Sequence, residues 1–203
     1  MPRARRGAIH ATFQLTRPSA EQVDAFVAAQ RGATFSYPEV GATRSGAAPA
    51  GYNVDHNRVR LGTGAETFHR ATAAVLAWRM SSLGWMSIQP ANAPVTPGET
   101  VAAVVRHHGF WSLNACRVVH LLDEEEDGMR RTGFAYGTLP AHAEVGEERF
   151  SVEWRLADDS VWYDLYAFSR PGHLLARLGS PLARRLQRRF ANESKQAMLD
   201  AAG

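Results

Sequence analysis

Tyr52 and His56 stand four residues apart in a run, 52 to 61, that alternates as a strand does, so both project from one face. In an apolar pocket, a phenol beside an imidazole can orient a ligand or move a proton. The competing reading is that the pair satisfies backbone groups of the preceding loop. Further along, Trp111, Phe134, Tyr136, Trp154, Trp162 and Tyr166 sit on successive strand-like runs. Most belong to a core, and those on a concave face would line any cavity there. These eight residues form the candidate ligand-binding set. Tyr136 joins Tyr52 and His56 as a possible acid or base, and no catalytic residue is assigned.

Other constellations read as structure. Gly62-Thr63-Gly64 lies between a strand and a helix. It lacks the lysine of a phosphate loop, and Thr67 stands where a dinucleotide fingerprint has its third glycine. It is expected to be a tight turn, with Thr63 and Glu66 as a capping box. Adjacent His107 and His108 would point to opposite faces of a strand, so at most one could join His120, and no metal set is completed. Cys116, among Leu113, Ala115 and Val118, reads as core packing. Glu147 and Glu148 are expected to lie in a turn and Glu153 alternates with strand residues, so all three are expected on a solvated face. Neither a metal nor an organic cofactor is expected.

Such groups need a frame, and the 203 residues suit one domain spanning 1–203. A single cysteine excludes an intrachain disulfide and points to a reducing compartment. The basic start, residues 1–7, is expected to be flexible. It lacks the apolar stretch of a signal peptide after it, and no run is long enough for a transmembrane segment, so a cytoplasmic location is expected. The net charge of +3 is modest, and Lys195 is the one lysine among 23 basic residues. No run interleaves basic and aromatic residues, which argues against a nucleic-acid partner. Composition does not set an oligomeric state.

The pattern predicts a short strand at 8–15, a helix at 20–30 and a long loop or flap at 31–51. A second helix would follow residue 63, carrying Phe68, Ala71, Val75, Trp78 and Met80 on its apolar face. Strand character begins again at 83–88. Five runs, 100–107, 111–122, 129–139, 149–156 and 160–168, are then separated by turn residues, which reads as an antiparallel meander. From Leu174 the residues Leu174, Leu178, Leu182, Leu186 and Phe190 recur every fourth position, the mark of a helix with one apolar face, interrupted at Gly179-Ser180-Pro181. Arg177, Arg184, Arg185, Arg188 and Arg189 occupy much of its remainder.

Several motifs, in order along the chain, carry a likeness. They are Phe35-Ser36-Tyr37-Pro38-Glu39-Val40-Gly41-Ala42-Thr43, Gly51-Tyr52-Asn53, Leu61-Gly62-Thr63-Gly64 with Phe68, Leu83-Gly84-Trp85, Gly133-Phe134-Ala135-Tyr136-Gly137-Thr138-Leu139-Pro140, Gly146-Glu147-Glu148 with Phe150, and Ala167-Phe168-Ser169-Arg170-Pro171. The chain thereby resembles the domain-of-unknown-function family numbered 1990, placed with the helix-grip superfamily of START, polyketide-cyclase and birch-pollen-allergen-like proteins. The resemblance implies an α+β helix-grip fold, with a curved antiparallel sheet of about six or seven strands wrapped around a long C-terminal helix. By superfamily analogy it implies a cavity between sheet and helix for a small apolar or amphipathic molecule. Two alternatives accompany it: a cofactor-independent cyclase, dehydratase or hydrolase on the same fold, and a peripheral membrane or nucleic-acid adaptor acting through the arginine-rich last helix.

Overall fold

A computed structural model describes residues 12–172 and 180–203. In chain order these form β1 (Thr12–Gln14), α1 (Ala20–Gln30), β2 (Asn53–Thr63), α2 (Gly64–Leu76), β3 (Met86–Gln89), β4 (Thr100–Arg106), β5 (Trp111–Glu126), β6 (Met129–Thr138), β7 (Glu144–Arg155), β8 (Ser160–Pro171) and α3 (Ser180–Ala202). Short 3-10 turns occupy Ala42–Ser45 and Arg79–Ser81.

The connections from β4 to β8 are too short for a crossover, so each strand pairs antiparallel with the next. The tightest is Asp127-Gly128, where both residues take positive φ, as a two-residue hairpin turn requires. β2 adds to the far edge of β8, giving the order β2-β8-β7-β6-β5-β4-β3. The result is a curved antiparallel sheet with a C-terminal helix, the helix-grip α+β arrangement. It has eight strands rather than six or seven, because β1 pairs with residues 111–113 of β5, which β6 does not reach. β7 starts at Glu144, earlier than the alternation suggested.

Local chemistry sets the helix ends. Ser19 caps α1, accepting from the Gln22 amide while the Gln22 side chain accepts from the Ser19 amide. The box expected at Thr63 does not form, because Thr63 stays extended in the ladder opposite Ser160. Gly64, at φ +85°, makes the turn instead and donates its N–H to the Asp159 carbonyl. α2 stops before Trp78, which takes a left-handed φ of 57° and donates its indole N–H to the Ala93 carbonyl at 3.0 Å. Trp78 and Met80 therefore reach the core from beyond the helix.

Both faces of the sheet are covered. On the inner face, Phe68 and Val75 of α2 and Phe190 and Met198 of α3 pack on Cys116, Phe134, Phe150 and Tyr163. Burying Phe190 and Met198 contributes roughly 1.5–3 kcal/mol each before entropy is subtracted. The buried Tyr163 hydroxyl and Ser194 Oγ, 2.7 Å apart, join sheet to helix. Of the predicted stripe, Leu174 and Leu178 lie outside the described residues, as do the side chain of Leu182 and part of the Gly179-Ser180-Pro181 break. On the outer face, Val23 and Val27 of α1 cover Val104 and Leu113. The Ala42–Ser45 turn lies against β7 and β8 on that same face. Among the described residues no helix is long and apolar enough to cross a membrane.

Candidate functional site

A row of inner-face positions runs across four strands: Asp55 on β2, Ala167 on β8, Glu148 on β7 and Tyr136 on β6. The Tyr136 hydroxyl donates to Glu148 Oε2 at 2.7 Å. Burial pushes the Glu148 carboxyl up to about 7, with Glu144 and Asp55 adding negative charge nearby and the tyrosine hydrogen bond opposing the shift. Burial likewise raises the Tyr136 phenol, which therefore stays a neutral donor at pH 7. Around them, Arg184 of α3 grips Asp55 through two contacts of 2.6 and 3.0 Å. Gln187 donates to Glu144 at 2.6 Å and to Ser169 Oγ at 3.1 Å. Below lies an aromatic wall: Tyr136 neighbours Trp78 and Phe150, and Phe150 meets Phe190 edge to face at 6.3 Å. One end of the sheet–helix interface is thus polar and able to titrate, and the rest is apolar.

The outer face carries a second polar network, under residues 31–51. Glu147, 2% exposed, accepts from the Tyr37 hydroxyl at 2.6 Å, the Gly41 amide at 2.7 Å, the Thr43 amide at 3.0 Å and the Thr43 hydroxyl. Gly137 is the register partner of Glu147, and a Cβ there would overlap the Tyr37 hydroxyl and come within 2.8 Å of Cζ. Arg149 donates to the Thr43 carbonyl at 2.7 Å and to Asp164 at 2.8 Å. Asp164, 1% exposed, also holds Arg58 at 3.1 Å and His56 Nε2 at 2.6 Å. Arg58 pairs in turn with Glu153.

The eight candidate ligand residues divide between the faces. Phe134, Tyr136 and Trp154 are inward, the last beside Phe68 of α2. Tyr52, His56 and Tyr166 are outward and adjacent: Tyr52 donates to Glu39 at 2.8 Å, and His56 meets the Tyr166 ring at 5.6 Å. Trp162 lies outward under Arg58 and Arg155, and Trp111 packs by α1 with Arg17 over its ring. The solvated reading of Glu147 and Glu153 is corrected: both are buried, because donors from residues 31–51 and from β2 close over them. Glu148 is half-buried in β7 rather than in a turn. Sequence reasoning set Asp55 on the strand face opposite Tyr52 and His56 without giving it a role, and passed over Glu144, Arg149 and Asp164. The signal for Asp164 was its place as the one charged residue in the apolar run 160–168, since a carboxylate buried in such a strand must be paired.

Cys116 is a buried thiol whose pKa burial raises, which leaves it protonated and inert. His107 Nε2 sits 2.9 Å from Ser112 Oγ. Among the described residues no three His, Cys, Asp or Glu side chains gather as a metal site. Of the helix arginines, Arg184 and Arg189 are committed to Asp55 and Glu193, and Arg177 lies outside the described residues. Among the described residues, two shallow hollows lie away from the sheet–helix interface. One, of about 410 Å³, is lined by Phe13, Leu15 and Phe110, and the other, of about 270 Å³, lies beside Pro18 and Pro90.

Comparison with known proteins matches residues 36–197 to the model described as domain of unknown function DUF1990. A UPF0548 protein of Dictyostelium discoideum is 34% identical over 207 residues, covering 94% of this chain and 96% of its own. One from Deinococcus radiodurans is 39% identical over 203 residues, covering 94% and 99%. Among solved structures, that of Ara h 8.0201 superposes with a TM-score of 0.43 at 10% identity, covering 74% of this chain and 99% of that one.

Proposed function

Because the chain belongs to the DUF1990 family, whose description assigns no activity, we propose its function from its own geometry: it binds a small amphipathic molecule between sheet and α3. The hydrogen-bonded Tyr136–Glu148 pair at the end of an aromatic wall carries this reading. An apolar body would lie against Phe150 and Phe190, with its polar end at Tyr136 and Glu148. With α3 packed on the sheet as described, a bound molecule would displace part of that helix. Its Arg184 end is held by polar contacts that water can replace at little net cost, whereas the Met198 end is held by burial.

A second reading, catalysis of proton transfer without a cofactor, draws support from the Glu148 carboxyl near 7, where an acid can both give and take a proton at neutral pH. Native mass spectrometry and organic extraction of the purified chain test the first reading. A stoichiometric adduct that Phe150→Ala or Tyr136→Phe loses is expected. Absence of any adduct, together with no saturable uptake of apolar fluorescent probes, would overturn it. Glu148→Gln separates the two readings: a pure binder keeps its adduct and has no turnover to lose, while an enzyme keeps the adduct and loses conversion.

A further inference from the structure

The outward positions of β6 carry almost no side chain, yet they are buried beneath the groups around them. Gly133, Ala135 and Gly137 are its outward positions there, and β5 and β7 on either side lie roughly 9.5 Å apart, two strand spacings. Register sets His120 and Arg149 on the two sides of Ala135, and Leu122 and Ser151 on the two sides of Gly133. Tyr37 fills the Gly137 end of this trough, and the Ala42–Ser45 turn docks on β7 beside it.

Buried polar atoms on the rim have no protein partner: His120 Nε2, Arg149 Nε and Ser151 Oγ, with Arg131 Nε beyond them. Ser151 is wholly buried and Arg149 is 5% exposed. An orphaned buried polar atom costs about 1–3 kcal/mol; the arginine Nε–H groups can only donate, and the His120 ring and Ser151 hydroxyl can donate too, so the cluster suits an acceptor that the chain itself does not supply. We infer that this trough is a binding site for a small oxyanion, a carboxylate or phosphate group, held by His120, Arg149 and Ser151 under segment 31–51.

The donor set favours an anion. Arg149 spends both terminal nitrogens on Thr43 and Asp164, and Arg131 gives one of its own to Glu124, while the Nε–H of each stays open. Glu147, the carboxylate that follows along β7, is already saturated by four donors and offers no lone pair to these groups. Oxygens of one planar or tetrahedral anion can accept from three directions at once, in the manner of charge-assisted bonds to arginine. The site is independent of the inner-face reading, since it uses the opposite side of the sheet.

The test follows the imidazole nitrogens of the ¹⁵N-labelled full-length chain during titration with sodium phosphate and, separately, sodium acetate, with ionic strength held by sodium chloride. Saturable movement of His120 with either anion, His107 staying still, is the expected result. Ser151→Ala should weaken that binding about tenfold, as loss of one buried hydrogen bond does. Ala135→Val, which fills the floor, should abolish it, and serves as well if Ser151→Ala folds poorly. A drift that is linear and shared by the histidines, or an affinity unchanged in the variants, overturns the inference and leaves the trough to water.

Discussion

Replacing Glu147 by glutamine tests whether residues 31–51 are pinned to the sheet by one carboxylate. Oε2 takes the Tyr37 hydroxyl and the Gly41 amide, and Oε1 takes the Thr43 amide and hydroxyl. A carboxamide presents one oxygen and one NH₂. Whichever way it turns, its NH₂ faces a backbone N–H that cannot reverse its role, whereas a hydroxyl can rotate to accept. One buried amide is thus orphaned, at about 1–3 kcal/mol, and the surviving bonds lose their charge assistance. The sum is roughly 3 kcal/mol, a large fraction of the 5–15 kcal/mol typical of a domain. Urea unfolding should show this loss. Amide exchange at Gly41 and Thr43 should accelerate by more than the global change accounts for, because the turn opens first. Tyr37→Phe should cost less in the Glu147→Gln background than in the native one. A loss under about 1 kcal/mol, with both amides protected as before, would refute the pinning argument.

Gly137→Ala should act at the same place, since the new methyl overlaps the Tyr37 hydroxyl; circular dichroism melting should show a lower Tm, and added Tyr37→Phe should restore only part of it because Cζ still lies within 2.8 Å. The inner face predicts a pH dependence. The Glu148 carboxyl rises from 4.5 unfolded to about 7 folded, so the native state binds more protons between those values. Stability should therefore fall as pH rises through about 4.5 to 7, and Glu148→Gln should flatten that slope in denaturation measured at each pH.

The meander was legible because each of its strands announces itself by alternation and pairs with its sequence neighbour. The apolar stripe of α3 at Leu186 and Phe190 was equally plain. Glu147 was not, since a glutamate after a turn-rich stretch resembles a solvated tip, and its partners Tyr37, Gly41 and Thr43 come from far upstream. The facing of Tyr52 and His56 was also hidden, because β2 carries polar residues on both sides and only its register with β8 settles which side is outward. Phe134 and Tyr136 were named as candidates, but the partner that gives Tyr136 its chemistry, Glu148, had been read as surface.

The placement of β2 on the outer edge of β8 bears on how the chain assembles. β4 to β8 form by successive hairpins, for which loop closure is fast and inexpensive. β2, by contrast, has no partner until β8 exists, as Asn53 aligns with Ser169 and Thr63 with Ser160. During synthesis the N-terminal strands therefore leave the ribosome before the surface they complete, and residues 31–51 wait equally for Glu147. The C-terminal half is thus the surface on which β2 and residues 31–51 must dock.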